Sequence, residues 1–284
     1  MWNEITITGF ADEIAPELET QIEVSKKLDI HYIEMRGVGG KGLVFHTIPE
    51  VREIKKQLDD AGMKISSVGS PIGKIQITDP VEPDLELLKH TAEIAHILET
   101  PNIRMFSYYM PEGQEPALYR GEVMDRTGKM RDIAVADDVI LLHENEKGIY
   151  GDIAPRCLDL LKEFSGEHYR AVFDFANFVQ CGQDTLEAWD LLKSYVDYIH
   201  IKDALAESGQ VVPAGHGDGH VAEILKKLKE SGYAGFLSLE PHLQSFTSFG
   251  ALESGKTEDT PLPYTGEEIY TIASTALRDI LKTL

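Results

Sequence analysis

Residues 197–203 read DYIHIKD, a strand-like run that carries His200, and histidine is a residue type that binds divalent metals. Three further strand-like runs in the second half of the chain also end on a metal-binding residue type: LLHENE at 141–146, RAVFDFAN at 170–177 and GFLSLEPH at 235–242. Helix-like stretches separate the runs. In a closed parallel barrel the ends of successive strands converge on one mouth, so residues far apart in sequence could share one ion.

The metal-binding residue types in these runs are three carboxylates and one imidazole: Glu144, Asp174, His200 and Glu240, at intervals of 30, 26 and 40 residues. Oxygen-rich ligation of this kind suits Mn²⁺, Mg²⁺ or Co²⁺, and Zn²⁺ is also compatible with it. Each residue has a simpler interpretation as a solvated charge or a core hydrogen-bonding group, and Asp174 could be a helix N-cap. All four in register favour one divalent ion, with Mn²⁺ as the first expectation.

Strand-like and helix-like segments alternate along the whole chain. Strands are predicted at Glu4–Thr8, 31–37, 63–70, 102–109, 138–144, 168–174, 196–202 and 235–240. Helices are predicted at Pro16–Leu28, Pro49–Ala61, Pro83–Leu98, 121–136, 154–164, 185–195, 218–231 and 266–282. Eight units without a linker predict an α/β fold, a (β/α)₈ TIM barrel formed by a single domain over residues 1–284. No glycine-rich dinucleotide or P-loop motif is present.

Composition limits the partners that the chain can have. Its formal net charge of −21 disfavours nucleic acid and anionic membranes at long range. The chain has no apolar run of the ~20 residues that a membrane span needs, and no signal peptide is visible at its N-terminus. With only Cys157 and Cys181, no disulfide framework is expected. We expect a cytoplasmic protein with a small-molecule substrate, and homo-oligomerisation stays open.

The motifs HENE, DFAN, YIHIKD, AGHGDG and SLEP, in this order, resemble the sugar phosphate isomerase/epimerase superfamily. Its members have a xylose-isomerase-like TIM barrel of the AP endonuclease family 2 type. They include ketose 3-epimerases, hydroxypyruvate isomerase, inosose and dehydroshikimate dehydratases and endonuclease IV. The resemblance covers essentially the whole chain. It implies that Glu144, Asp174, His200 and Glu240 are the metal ligands.

Three departures from the relatives fall at positions that usually face the substrate. Glu146 and Asn177 stand where many or several relatives have histidine, and Gly215–Asp218 read GHGD where many have GEGD. The substrate of a named relative therefore does not transfer to this chain. Endonuclease IV requires a histidine-rich cluster of three metals, and the predicted third and fourth strands end without histidine. A nuclease is not expected.

Seven residues are predicted to bind the substrate: Glu146, Asn177, Lys202, His216, His242, Arg36 and Lys74. Other roles stay open for several of them. Lys202 could instead pair with Asp203, and Arg36 could pair with Glu34 at the end of the second strand. His216 could be a solvent-exposed loop residue.

The resulting expectation is a metal-dependent isomerase or epimerase of a small sugar or related polyhydroxy carbonyl compound. The catalytic residues would be Glu144 and Glu240, one removing a proton from carbon and the other returning one to the enediolate. A dehydratase of the same superfamily is an alternative, with His216, His242 or Lys202 protonating the departing water. A catalytically silent sugar-binding barrel is the other alternative.

Overall fold

The computed structural model describes residues 2, 5–243 and 264–284. Eight parallel strands form its centre: β1 Thr6–Gly9, β2 Tyr32–Met35, β3 Lys64–Val68, β4 Asn102–Met105, β5 Ile140–Glu144, β6 Tyr169–Asp174, β7 Val196–Ile201 and β8 Phe236–Leu239. From β2 to β8 each strand pairs with the next in the chain, and β8 pairs with β1. A parallel bridge between Phe10 and Glu34 brings β1 against β2, so the barrel is nearly closed. The predicted TIM barrel is confirmed.

The strands are surrounded by helices. Nine α-helices lie within the described residues: α1 Leu18–Lys27, α2 Ile48–Ala61, α3 Glu82–Ile97, α4 Arg120–Ala136, α5 Ala154–Phe164, α6 Phe175–Gln180, α7 Thr185–Leu192, α8 Val221–Glu230 and α9 Gly266–Thr283. The sequence predicts eight, and the additional one is α6. It begins on the residue that directly follows β6, so no turn signal separates it from the strand. In the first predicted strand, Glu4 lies outside the described residues.

Part of the barrel interior is a chain of buried hydroxyl groups. The Thr8 and Ser66 hydroxyls lie 2.8 Å apart, and Ser66 lies 2.8 Å from the Tyr198 hydroxyl. All three side chains are at most 1% exposed. Buried polar groups must be hydrogen-bonded to be tolerated, and each of these hydroxyls meets that condition. The interior is therefore a packed, hydrogen-bonded core and not an open channel.

The loops at the carboxyl-terminal ends of the strands carry short hairpins of their own. Gly37–Val38 pairs with Lys41–Gly42 after β2, and Asp203–Ala204 pairs with Val211–Val212 after β7. The loop that follows the second hairpin wraps around the buried Asp203 carboxylate, which accepts hydrogen bonds of 2.8–3.0 Å from the backbone N–H groups of Gly215, Gly217 and Gly219.

A membrane-spanning helix is not found in the described parts of the chain, where no helix is both long and apolar enough.

Candidate metal centre and active site

Four side chains converge at the carboxyl-terminal mouth of the barrel: Glu144 at the end of β5, Asp174 at the end of β6, His200 in β7 and Glu240 directly after β8. One ligand atom from each lies within 4.8 Å of all the others. His200 Nδ1 is 2.9 Å from Glu144 Oε1, 3.4 Å from Glu240 Oε2 and 3.8 Å from Asp174 Oδ2. None of the four is more than 2% exposed. The structure thus gathers the residues that the sequence predicts as ligands.

Local structure explains why Asp174 points inward. Phe173 packs on Trp189 of α7 outside the barrel, with ring centroids 5.6 Å apart, so strand alternation turns the next residue inside. Asp174 is also the N-cap of α6, and its Oδ1 accepts a 2.8 Å hydrogen bond from Asn177 N–H. The Asn145 side chain makes two hydrogen bonds to the Asp174 backbone. The N-cap role uses one carboxylate oxygen and leaves Oδ2 to face the cluster.

Lys202 brings a positive charge into the cluster. Its Nζ lies 2.9 Å from Glu240 Oε2 and 3.2 Å from Asp174 Oδ2, and the side chain is 4% exposed. Pairing with Asp203, one of the two sequence interpretations, is absent from the described contacts because Asp203 turns to the loop backbone instead. A buried ammonium is tolerated only when paired, and the two carboxylates provide that pairing.

Two arginines from the other side of the barrel approach the same carboxylates. Arg104 of β4 has Nη1 3.2 Å from Glu144 Oε2. Arg36 lies 3.7 Å from Glu240 Oε1, makes a 2.8 Å hydrogen bond to Asp12 and lies 3.4 Å from Glu13. Among Arg36, Arg104, Asp12 and Glu13, only Arg36 is predicted from the sequence as part of the site. Arg104 had one detectable signal, a lone charge inside the apolar run NIRMF, whereas nothing in the sequence of the turn after β1 marks Asp12 and Glu13.

The electrostatics of the cluster are strongly perturbed. Burial raises the pKa of Asp174 to about 8, although the neighbouring Lys202 opposes this. Burial also acts against ionisation of Glu144, but the charge of His200 lowers the pKa of Glu144 to about 2. The pKa of Glu240 is held well below its usual range by Lys202 despite burial. Burial opposes the charged form of His200 too, yet the nearby carboxylates raise its pKa well above the usual value.

The donor set fits a divalent cation. Asp174 Oδ2 is buried without a hydrogen-bond partner among the described residues, and Lys202 approaches it only as an ion pair. Three carboxylates this close repel one another unless positive charge lies between them. Two ligands of one ion, each at roughly 2.0–2.4 Å, are at most about 4–5 Å apart, which matches the observed spread of the ligand atoms. The cluster could therefore hold one ion.

Two other predicted substrate residues lie directly beside the cluster. Asn177 Nδ2 donates to the Asn145 carbonyl and lies 3.3 Å from Glu144 Oε1. His242 Nε2 lies 3.3 Å from Glu240 Oε1. With Lys202 and Arg36, they place hydrogen-bonding groups around the four ligand-type residues.

The remaining predicted substrate residues lie farther out. Lys74 and Glu146 pair with each other at 3.2 Å, and the Lys74 ammonium also lies 4.4 Å from the centre of the Phe106 ring. His216 is exposed, and within the described residues its side chain has no contact with the four ligand-type residues. Its role in substrate binding stays a prediction.

Several solved structures share this fold. D-allulose 3-epimerase from a Methylomonas species, in complex with D-allulose, is 14% identical with a TM-score of 0.74, and the match covers 99% of this chain and 98% of that one. The probable 3-DHS dehydratase AsbF from Bacillus anthracis is 16% identical with a TM-score of 0.74, covering 96% and 98%. The IolI protein with a bound zinc atom is 14% identical with a TM-score of 0.73, covering 98% of each chain.

Among curated proteins no sequence matches this chain. The sequence family of xylose isomerase-like TIM barrels matches residues 22–259, which include seven of the eight barrel strands. The match confirms the resemblance that the strand-end motifs suggested. The chain belongs to the family of xylose isomerase-like TIM barrels.

Proposed function

We propose that this chain is a divalent-metal-dependent isomerase or epimerase of a small sugar or related polyhydroxy carbonyl compound. The observation that carries the proposal is the buried convergence of Glu144, Asp174, His200 and Glu240 at the barrel mouth. Their oxygen-rich donor set suits Mn²⁺ best, with Mg²⁺, Co²⁺ and Zn²⁺ as other candidates. Active sites of TIM barrels lie at this end of the strands, which supports a catalytic role.

The bound ion would supply Lewis acidity, which lowers the cost of removing a proton from the carbon next to the substrate carbonyl. Glu144 and Glu240 come from β5 and the end of β8, the two outer positions of the four ligand-bearing strands. The lowered pKa of each glutamate favours its ionised form, which is the form that the base must have. One would take the proton from carbon as a carboxylate, and the other would deliver to the opposite face of the enediolate a proton that it has taken up from solvent, which permits inversion.

The neighbouring cations would hold the substrate oxygens while the proton moves. Lys202 lies 2.9 Å from Glu240, so its ammonium can donate to an oxygen on the carbon that Glu240 serves. His242 lies on another side of the same carboxylate. Positioned donors stabilise negative charge as it develops on oxygen, and burial strengthens their effect because water does not screen them. Asp174 and His200 would chiefly hold the ion.

The similar solved structures support a site of this kind. One is described as an epimerase bound to its ketose, and another as a zinc-bound protein. Their identities to this chain are 14%, so the support reaches the fold and the kind of site, and the sugar itself has to be found by experiment.

The direct test is turnover of a ketose panel by protein stripped of metal and then reloaded. We expect no activity after chelation, activity after addition of Mn²⁺, and a product of unchanged mass. Solvent deuterium should enter the product at the reacting carbon unless the site shields that proton. Activity that is fully retained in chelator-treated, metal-free protein would refute the metal-dependent proposal.

A dehydratase is the second candidate, because one similar structure is described as a probable dehydratase and Lys202 is placed near the ligands. Expelling a hydroxyl group requires an acid to protonate it. Burial opposes the charge on Lys202, but Asp174 and Glu240 raise its pKa well above the usual value, so it retains its proton. This favours the isomerase. A product lighter by one water would favour the dehydratase, and no turnover of any substrate would favour a silent binding barrel.

A further inference from the structure

Glu34 is a buried carboxylate on β2, on the inner side of the barrel, and it lies outside the set of four ligand-type residues. It is 0% exposed, and burying an unpaired carboxylate is costly. The pairing of Glu34 with Arg36 that the sequence left open is not formed among the described residues, because Arg36 turns to Asp12. Glu34 instead faces His200, with Oε2 3.1 Å and Oε1 3.4 Å from Nε2.

The two ring nitrogens of His200 therefore face different surroundings. Nδ1 faces the three ligand-type carboxylates, and Nε2 faces Glu34. A neutral imidazole carries one N–H and one lone pair. When the hydrogen is on Nε2 and is donated to Glu34, the lone pair of Nδ1 points into the cluster, where a cation would lie.

Both Glu34 and the imidazole ring are held in place. The Ser238 hydroxyl donates a hydrogen bond to Glu34 Oε2. The rings of Phe10 and Tyr198 stand edge-on to the imidazole, with centroids 5.2 and 5.8 Å away. The register between β2 and β3 shifts next to Glu34, and such irregularities commonly re-aim side chains beside active sites. The carboxylate is thus fixed in advance of any ligand.

The geometry points to Glu34 as a positioning residue for the metal centre. Its carboxylate accepts the Nε2 hydrogen of His200, which fixes the tautomer and ring orientation in which Nδ1 ligates the ion. The inference rests on the proposed metal dependence. Glu34 is not a member of the ligand cluster within the described residues. Carboxylate partners of this kind orient metal-binding histidines, and their loss typically weakens metal affinity by about 10–100-fold.

The test is a Co²⁺ titration of metal-stripped wild-type, Glu34→Ala and Glu34→Gln protein, followed by visible absorption. We expect Glu34→Ala to weaken Co²⁺ binding by roughly 10–100-fold. Glu34→Gln should lose less, because its amide oxygen still accepts a hydrogen bond from Nε2. Asp84→Asn is the matched control: it removes a buried carboxylate that bonds to Gly73 N–H, away from the cluster, and should leave the dissociation constant unchanged.

A second measurement reads the tautomer directly. In ¹⁵N spectra of Zn²⁺-loaded wild-type protein, His200 should show a protonated Nε2 and a metal-shifted Nδ1. If Glu34→Ala does not fold, Ser238→Ala removes the hydroxyl that holds Glu34, and it should weaken Co²⁺ binding by a smaller factor.

Two results would overturn the inference alone: wild-type affinity in both Glu34 variants, or a protonated Nδ1 on His200 in the loaded protein. A wild-type protein that binds no Co²⁺, Zn²⁺ or Mn²⁺ would instead overturn the proposed function together with the inference.

Discussion

The two halves of the barrel contribute differently to its mouth. Strands β5–β8 and the residue after β8 supply all four ligand-type side chains. The β1–β4 half supplies Arg36 and Arg104, which lie 3.7 and 3.9 Å from the same oxygen, Glu240 Oε1, and which both lie against the Phe10 ring. It also supplies Glu34, which faces His200. One half thus provides the ligands, and the other sets their charge and orientation.

The largest effect is expected within the ligand half, from Glu240→Gln. The amide keeps an oxygen that can ligate but can no longer accept the proton. We expect turnover to fall by about 10²–10⁴-fold, the range of general acid–base catalysis, and saturating Mn²⁺ should not restore it. Steady-state rates measured across a Mn²⁺ series provide the check.

Asp174→Asn is the matched variant, because Asp174 has no assigned role in proton transfer. Excess Mn²⁺ should restore much of its rate. Full rescue of Glu240→Gln by Mn²⁺, together with retention of a carbon-bound deuterium label, would argue for a hydride shift in place of the two-glutamate mechanism.

In the other half of the barrel, Arg104→Gln is expected to have a smaller effect, and this variant should bind the metal more tightly than the wild type. The guanidinium lies 3.2 Å from Glu144 and repels a divalent cation at the same carboxylate. Removing this charge should tighten Mn²⁺ binding several-fold, while turnover falls because Glu144 loses the partner that orients it. Calorimetric titration of the metal-stripped protein measures the affinity. Weaker binding would show that Arg104 supports the ligands more than it competes with the ion.

In the β1–β4 half, Asp84 makes stability depend on pH. Its carboxylate is buried and accepts a 2.8 Å hydrogen bond from Gly73 N–H, in the loop that carries Lys74. Burial raises its pKa from 3.8 to about 6, against the opposing effects of that hydrogen bond and of Arg126. Between about pH 4 and pH 6 the folded protein holds a proton that the unfolded chain has released. The contribution of Asp84 to the unfolding free energy therefore falls as pH rises through this range.

Asp84→Asn should remove that pH dependence and be more stable than wild type at pH 7, by on the order of 2 kcal/mol. Urea unfolding at pH 4.5 and pH 7 compares the two proteins. An equal difference in unfolding free energy at both pH values would contradict the assignment.

No effect is expected with nucleic acid. Abasic DNA should not bind detectably at physiological salt, because the net charge of −21 repels phosphates at long range. The arginines at the mouth do not change this, since Asp12, Glu13, Glu144 and Glu240 lie within 4 Å of them. Fluorescence anisotropy with labelled abasic DNA measures the binding. Specific nicking of that DNA by nuclease-free protein would contradict the expectation.

The sequence predicts those site residues whose type and whose position in the strand–helix unit indicate the same role. Glu144, Asp174, His200 and Glu240 each stand at or near the end of a strand in successive units, so topology alone brings them together. Asp174 shows the limit of choosing one interpretation, because it is both an N-cap and a member of the cluster. Helix α6 was not predicted, because no turn separates it from β6.

The sequence by itself determined the barrel, the strand ends that meet at its mouth and the acidic surface, since these follow from periodicity, order and composition. Tertiary structure alone decided the partners of the charges. Lys202 could pair with Asp203 by proximity in sequence, yet it meets Asp174 and Glu240, and Arg36 leaves Glu34 for Asp12. Such pairings depend on which groups are buried together across the barrel, and proximity in the sequence does not predict which groups these are.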